Sequence, residues 1–214
     1  MRTKFAAIIG MILVMTSTAL PVQAAAAPAA GISRTGAAAE GVSYADRTEE
    51  FRYLKNGWHY RDGNWYYVRG GKAVTGWVKY IGKWYFLDRD GEMKTGWVKD
   101  NGKWYYLAAS GEMKTGWIKD GGKWYYMDKT GTMVTGWLND GGKRYYFNGS
   151  GVMQTGWLSD GGKWYYLDSN GAMVTNKWIG DYYLKSNGEM AVSQWIDGYY
   201  VGADGKWIKD YKAA

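Results

Sequence analysis

Aromatic rings are the main chemistry-bearing residues of this 214-residue chain. Fourteen Trp and twenty Tyr stand beside four Phe, one His and no Cys. Rings with a polar edge suit surfaces that are half wet, so the bias points to recognition rather than reaction. Catalysis has little to work with. His59 is the single histidine, which excludes histidine triads and multi-histidine metal sites. The absence of cysteine removes disulfides, thiolate metal sites and thiol nucleophiles together. The aspartates fall at glycine turns, where side-chain-to-backbone bonding accounts for them. Their wide spacing argues against a paired-carboxylate site, and one carboxylate per turn does not match a calcium loop. No enzyme activity, cofactor or metal site is expected.

The rings are placed by a repeat. From Thr75 to Val174 a 20-residue unit is written five times, as in TGWVKDNGKWYYLAASGEMK from Thr95 to Lys114, with leading tryptophans Trp77, Trp97, Trp117, Trp137 and Trp157. A fixed period of this kind marks units that bury apolar surface only by stacking on their neighbours. Within each unit T-G-W-V-K and K-W-Y-Y-L-D read as short strands, joined by Asn101-Gly102 or by Gly-Gly pairs that supply the positive φ of a tight hairpin. A second glycine turn, such as Ser110-Gly111, leads through a Met to the next unit. Strand alternation sends Trp104 and Tyr106 to one face and Tyr105 and Leu107 to the other. Single hairpins are marginal in water, so stacked copies are expected to bury Val98, Leu107, Met113 and their equivalents continuously. The predicted fold is all-β, a solenoid of stacked β-hairpins of about 20 residues. Lys206–Tyr211 is expected to close its end with a strand.

The N-terminus reads as an address. Arg2 and Lys4 precede an apolar run from Phe5 to Leu20, and Val22-Gln23-Ala24 has the small-residue pattern of a signal-peptidase site. The run is short against the roughly 20 residues of a membrane span. Residues 1–24 are therefore expected to be an export signal, 25–50 a flexible Ala-rich leader and 51–214 the repeat domain. No transmembrane span is expected in the mature chain. The formal charge is +7, and the excess lies on the repeats. It suits a polyanion outside the cell better than nucleic acid.

The pattern G-W-x-x-D-G-G-K-W-Y-Y-L-D-x-x-G-x-M, in register from about Asn56 to Lys212, resembles the choline-binding, or cell-wall-binding, repeat of Gram-positive surface proteins. The resemblance implies a secreted protein held at the cell wall or cell surface. Its partner would be choline-bearing teichoic or lipoteichoic acid, with room for a homodimer through the C-terminal repeats. It also implies aromatic cages for choline, a quaternary ammonium that donates no hydrogen bond and is held by π-faces. The family's cage takes two tryptophans from one hairpin and a tyrosine from the next. Carried over, this gives Trp58, Trp65 and Tyr85; Trp77, Trp84 and Tyr105; Trp97, Trp104 and Tyr125; Trp117, Trp124 and Tyr145; and Trp157, Trp164 and Tyr182. Alternation selects the first Tyr of each pair, because that ring faces away from its own Trp. Arg144 stands at the second Trp position of the cage that would use Trp137 and Tyr165, and Asp181 at that of the Trp178 cage. Both of those cages are expected to be lost or weakened.

Two other readings carry different consequences. Similar aromatic repeats stack on sugar rings in glucan-binding proteins, which would make this a carbohydrate-binding module. Alternatively the rings are core, and the repeats bind another protein. Release by free choline separates the choline reading from the glucan one.

Overall fold

The computed structural model describes residues 50–211. The expected export signal, and the leader up to residue 49, lie outside them. The alternating segments form strands as their pattern dictates: β1 (Gly57–Arg61), β2 (Asn64–Arg69), β3 (Lys72–Ala73), β4 (Gly76–Tyr80), β5 (Lys83–Leu87), β6 (Gly96–Asp100), β7 (Lys103–Leu107), β8 (Gly116–Asp120) and β9 (Lys123–Met127). They continue as β10 (Gly136–Asp140), β11 (Lys143–Phe147), β12 (Gly156–Asp160), β13 (Lys163–Leu167), β14 (Lys177–Ile179), β15 (Tyr182–Leu184), β16 (Gln194–Ile196), β17 (Tyr199–Val201) and β18 (Trp207–Ile208). Among the described residues every sheet is a single antiparallel hairpin, extended by one short strand at β3 and at β18. Asn101 (φ 47°) and Gly102 (φ 79°) both take positive φ between β6 and β7. That is the turn whose twist matches the strands it joins.

Stacking completes what one hairpin cannot. In β6/β7 the register pairs Trp97 with Tyr106 and Lys99 with Trp104, leaving Val98, Tyr105 and Leu107 on the opposite face. The residue of each second strand that pairs with the first residue of its hairpin is then buried, and together these make a column: Val68, Leu87, Leu107, Met127, Phe147, Leu167, Leu184 and Val201. Backbone bonds set the offset between hairpins. The N–H of Met113 donates to the carbonyl of Trp84, Met133 to Trp104, Met153 to Trp124, Met173 to Arg144 and Met190 to Trp164. Ion pairs Lys83–Glu112 and Lys163–Glu189 tie successive units at the surface. Hydrogen bonds from Lys163, and after it Lys185, hold the Glu189 carboxyl at about 2.

The core is narrower than the sequence suggested. Leu107 is fully buried and Val98 nearly so, but Met113 is only half-buried. Its thioether leaves the column to lie under the next glycine turn, where a Cβ on Gly131 would collide with it. Such a glycine is required for its positive φ, and a Cβ there would also push the Met thioether aside.

Both ends depart from the repeat. Phe51 packs on Tyr66, Val68 and Ala73 and covers the first hairpin. At the far end β18 pairs with β17, closing the array with a strand as expected. No helix of the described residues is long and apolar enough to cross a membrane.

Candidate ligand-binding site

The stacking offset brings rings from neighbouring hairpins together. Tyr105 faces away from Trp104 and reaches Trp77 of the preceding hairpin, with centroids 4.8 Å apart. Tyr125 meets Trp97 at 4.7 Å, Tyr145 meets Trp117 at 4.8 Å and Tyr182 meets Trp157 at 5.2 Å. At three of these junctions the outer tryptophan supplies a third wall. Trp104 stands 6.3 Å from Trp97 at 85°, Trp124 stands 6.2 Å from Trp117 at 85°, and Trp164 stands 6.4 Å from Trp157 at 80°. The result is an open corner of near-perpendicular rings. Trp84, Trp104 and Trp124 are each 40% exposed, and Trp164 is more exposed still. The second tyrosine packs against its own tryptophan, as Tyr106 does on Trp97 at 5.1 Å, and so stiffens the inner wall.

The first predicted set differs. Trp58 does meet Tyr85 at 4.9 Å, but its ring is only 2% exposed. Tyr80 also stands edge-on to it at 6.4 Å, and Trp65 is partly buried against the same cluster. Tyr80 occupies the place that Asp100 holds in the next unit, and its ring fills the space that is open there.

Four aspartates take part that the sequence assigned only to turns. Asp100, Asp120, Asp140 and Asp160 accept the indole N–H of Trp77, Trp97, Trp117 and Trp137 at 3.1, 3.0, 2.9 and 2.9 Å. Each carboxylate sits at the tip of the following hairpin and holds the inner tryptophan of the one before. Asp140 also accepts the Tyr126 hydroxyl at 3.3 Å, and burial followed by the Asp140 charge pushes that phenol up. Side-chain-to-backbone turn bonding belongs instead to the second turn, where Asp128 accepts the N–H of Thr130 and Thr132. Burial works to raise the Asp128 carboxyl. The Thr130 hydroxyl and these two N–H groups prevail and lower it. The clamp is missing at Trp58, whose buried Nε1 has no partner among the described residues, since Tyr80 offers no carboxylate.

Cations already lie on some rings. Lys79, Lys99 and Lys119 place their ammonium 5.5–5.8 Å from the centroids of Trp84, Trp104 and Trp124. Ser159 replaces that lysine beside Trp164. Arg144 lays its guanidinium 4.2 Å over Trp137, whose other neighbour is Tyr165 at 5.0 Å. That face is therefore covered by a resident cation. A basic side chain is attracted to the same π-surface that would hold a ligand.

The aspartate clamp is testable. Asp120→Ala leaves a partly buried indole N–H without its acceptor and should cost about 1–3 kcal/mol, whereas Asp120→Asn retains an acceptor and should cost less. Thermal unfolding and the Trp97 indole N–H resonance measure both effects. An unshifted resonance in the alanine variant would show that the bond does not hold the ring.

Comparison with known proteins agrees with this architecture. The chain matches the choline-binding repeat over residues 74–115 and 134–178, a second form of the choline-binding repeat over 172–207, and the putative cell wall binding repeat over 115–133. No curated protein sequence matches it. Choline binding protein F from Streptococcus pneumoniae superposes with a TM-score of 0.66 at 45% identity, covering 72% of this chain and 58% of that one. CbpJ from Streptococcus pneumoniae TIGR4 gives 0.67 at 44% identity, covering 72% and 59%. This chain thus spans under two thirds of the length of either neighbour. In repeat, register and fold, the chain belongs to the choline-binding repeat family.

Proposed function

We propose that this is a non-enzymatic, secreted cell-surface protein that binds choline on teichoic or lipoteichoic acid of the cell wall. The sites are the corners Trp77, Trp84 and Tyr105; Trp97, Trp104 and Tyr125; Trp117, Trp124 and Tyr145; and Trp157, Trp164 and Tyr182. The observation that carries this reading is an internal comparison. Where this fold uses a tryptophan as core it buries the ring, as at Trp58, yet the outer tryptophans stay 40% exposed or more in a repeating three-ring geometry. Rings meeting near 85° suit a compact cation that touches several π-faces at once. A flat sugar ring prefers one broad parallel platform, which disfavours the glucan reading. The first hairpin's rings serve as core.

The neighbours support the same ligand class. Choline binding protein F of Streptococcus pneumoniae carries its ligand in its name and was solved in the presence of a peptidoglycan analogue. The family's link to cell walls supports export and surface attachment. A homodimer would form through the final hairpin, where Trp195, Ile208 and Tyr211 remain exposed.

Magnitudes favour many weak sites. A cation over one ring gains about 0.5–2 kcal/mol, so three rings offer on the order of 2–6 kcal/mol before immobilisation costs. That places one corner near the millimolar range, about −4 kcal/mol. Several corners engaging one polymer raise avidity by about 10² to 10⁴.

Elution tests the reading. Bound to choline-decorated wall, the protein should be released by free choline and resist salt, because ring contacts are screened far less than exposed charge. Release by salt but not by choline would make the basic surface the binder and the rings core. Calorimetry tests the assignment of corners. Arg144→Trp removes the resident cation and restores the third wall beside Trp137 and Tyr165, so it should add one choline per chain. Unchanged stoichiometry would contradict the assignment at that position.

A further inference from the structure

The hairpin β14/β15 lacks an outer tryptophan, because Asp181 stands where Trp104 and its equivalents stand. The chain nonetheless delivers a ring there from elsewhere. In each regular unit the backbone carbonyl of the outer-tryptophan position accepts the N–H of a methionine from the following unit, as Trp104 does from Met133. The carbonyl of Asp181 accepts its corresponding bond from Trp207, at 2.8 Å. The closing strand β18 thus replaces the methionine with an indole. Pairing of Tyr182 with Lys206, and of Val201 with Trp207, fixes the strand in that place.

Three rings converge as a result. Tyr199 stands 6.0 Å from Trp178 at 80°, and 5.6 Å from Trp207 at 85°. Both contacts are longer than the 4.7–5.2 Å of the regular tyrosine–tryptophan pairs and shorter than the 6.2–6.4 Å between regular tryptophans, and they keep the 80–85° angles of the latter. Here the tyrosine of the next hairpin is the central wall, and the closing strand supplies the outer one. The corner is open, with Tyr199 49% exposed and Trp207 36% exposed. Tyr183 packs against Trp178 at 5.2 Å and steadies it, as Tyr106 steadies Trp97. The Asp181 carboxylate nearby is paired with Lys206 at 3.7 Å, so the ring faces must supply most of the attraction.

We propose that Trp178, Tyr199 and Trp207 form an additional binding site for a quaternary ammonium group, with Trp207 substituting in space for the tryptophan missing at position 181. The proposal rests on the ring corners being cation sites, and it places a site at the C-terminal end of the array. A cation in the angle between two perpendicular rings whose centroids lie 5.6–6.0 Å apart is within about 6 Å of both, the range in which the attraction operates.

The test is titration of the full chain with choline chloride, followed through the tryptophan indole N–H resonances. Trp178 and Trp207 should shift and saturate together, alongside Trp97, Trp117 and Trp157. In Trp207→Leu the shift of Trp178 should be lost while those of Trp97 and Trp117 persist, and calorimetric stoichiometry should fall by one. If Trp207→Leu loosens the end of the array, Tyr199→Leu provides the second test, with the same loss expected at Trp178 and Trp207. Immobile Trp178 and Trp207 resonances beside a shifting Trp97 would overturn this site and leave the regular corners standing. Absence of any shift, Trp97 included, would overturn the general reading and this site with it.

Discussion

One backbone bond determines where every ring in this array can stand. The N–H that follows each second glycine turn reaches back to the carbonyl of the outer-tryptophan position of the preceding hairpin, at 2.7–2.8 Å. A net contribution of about 0.5–1.5 kcal/mol per bond is modest, but repetition makes the offset between hairpins uniform. Since each hairpin contributes one face to the column and the other to the next junction, this offset decides which tyrosine meets which tryptophan. Being a backbone contact, it is indifferent to the side chain at the accepting position. It persists at Arg144 and Asp181, where the tryptophan is absent. Stacking and ligand recognition are therefore separable. The fold tolerates loss of a ring wall without losing register, as nearest-neighbour repeat architectures permit.

That separation accounts for the variety among the junctions. Tyr80 in place of an aspartate turns the first junction into core and leaves the Trp58 Nε1 unpaired. Asp100, Asp120 and Asp140 orient the inner wall of the next three, and lysine ammonium groups lie on their outer walls. Arg144 covers the face of Trp137 although its aspartate clamp is intact. Trp157 has neither the clamp nor a lysine opposite Trp164, and it is more exposed than the inner tryptophans before it. Single substitutions on an unchanged scaffold thus grade the junctions from closed to open.

Much of this was legible in the sequence because strand alternation and turn chemistry are local. The glycine pairs located the hairpins, and the period of two sent Tyr105 away from Trp104 and towards Trp77. What stayed hidden depended on the stacking offset. The partner of the Trp97 indole lies on Asp120, across a junction, and no local rule links a turn residue to a ring in another hairpin. Burial of Trp58 followed from Tyr80 for the same reason. Met113 is expected in the core because it is apolar, yet it is only half-buried and its thioether lies against the next glycine turn, at Gly131. Trp207 carries no local signal for a ring contact across a junction, because it stands in the place of a methionine, opposite Asp181 rather than a tryptophan.

In the proposed function the open corners, rather than the basic surface, hold the ligand. A crystal structure of the protein with choline tests it most directly. A trimethylammonium group is expected between Trp97, Trp104 and Tyr125 and at the equivalent corners, with none at Trp58. Choline bound elsewhere on the surface, with those corners empty, would contradict it.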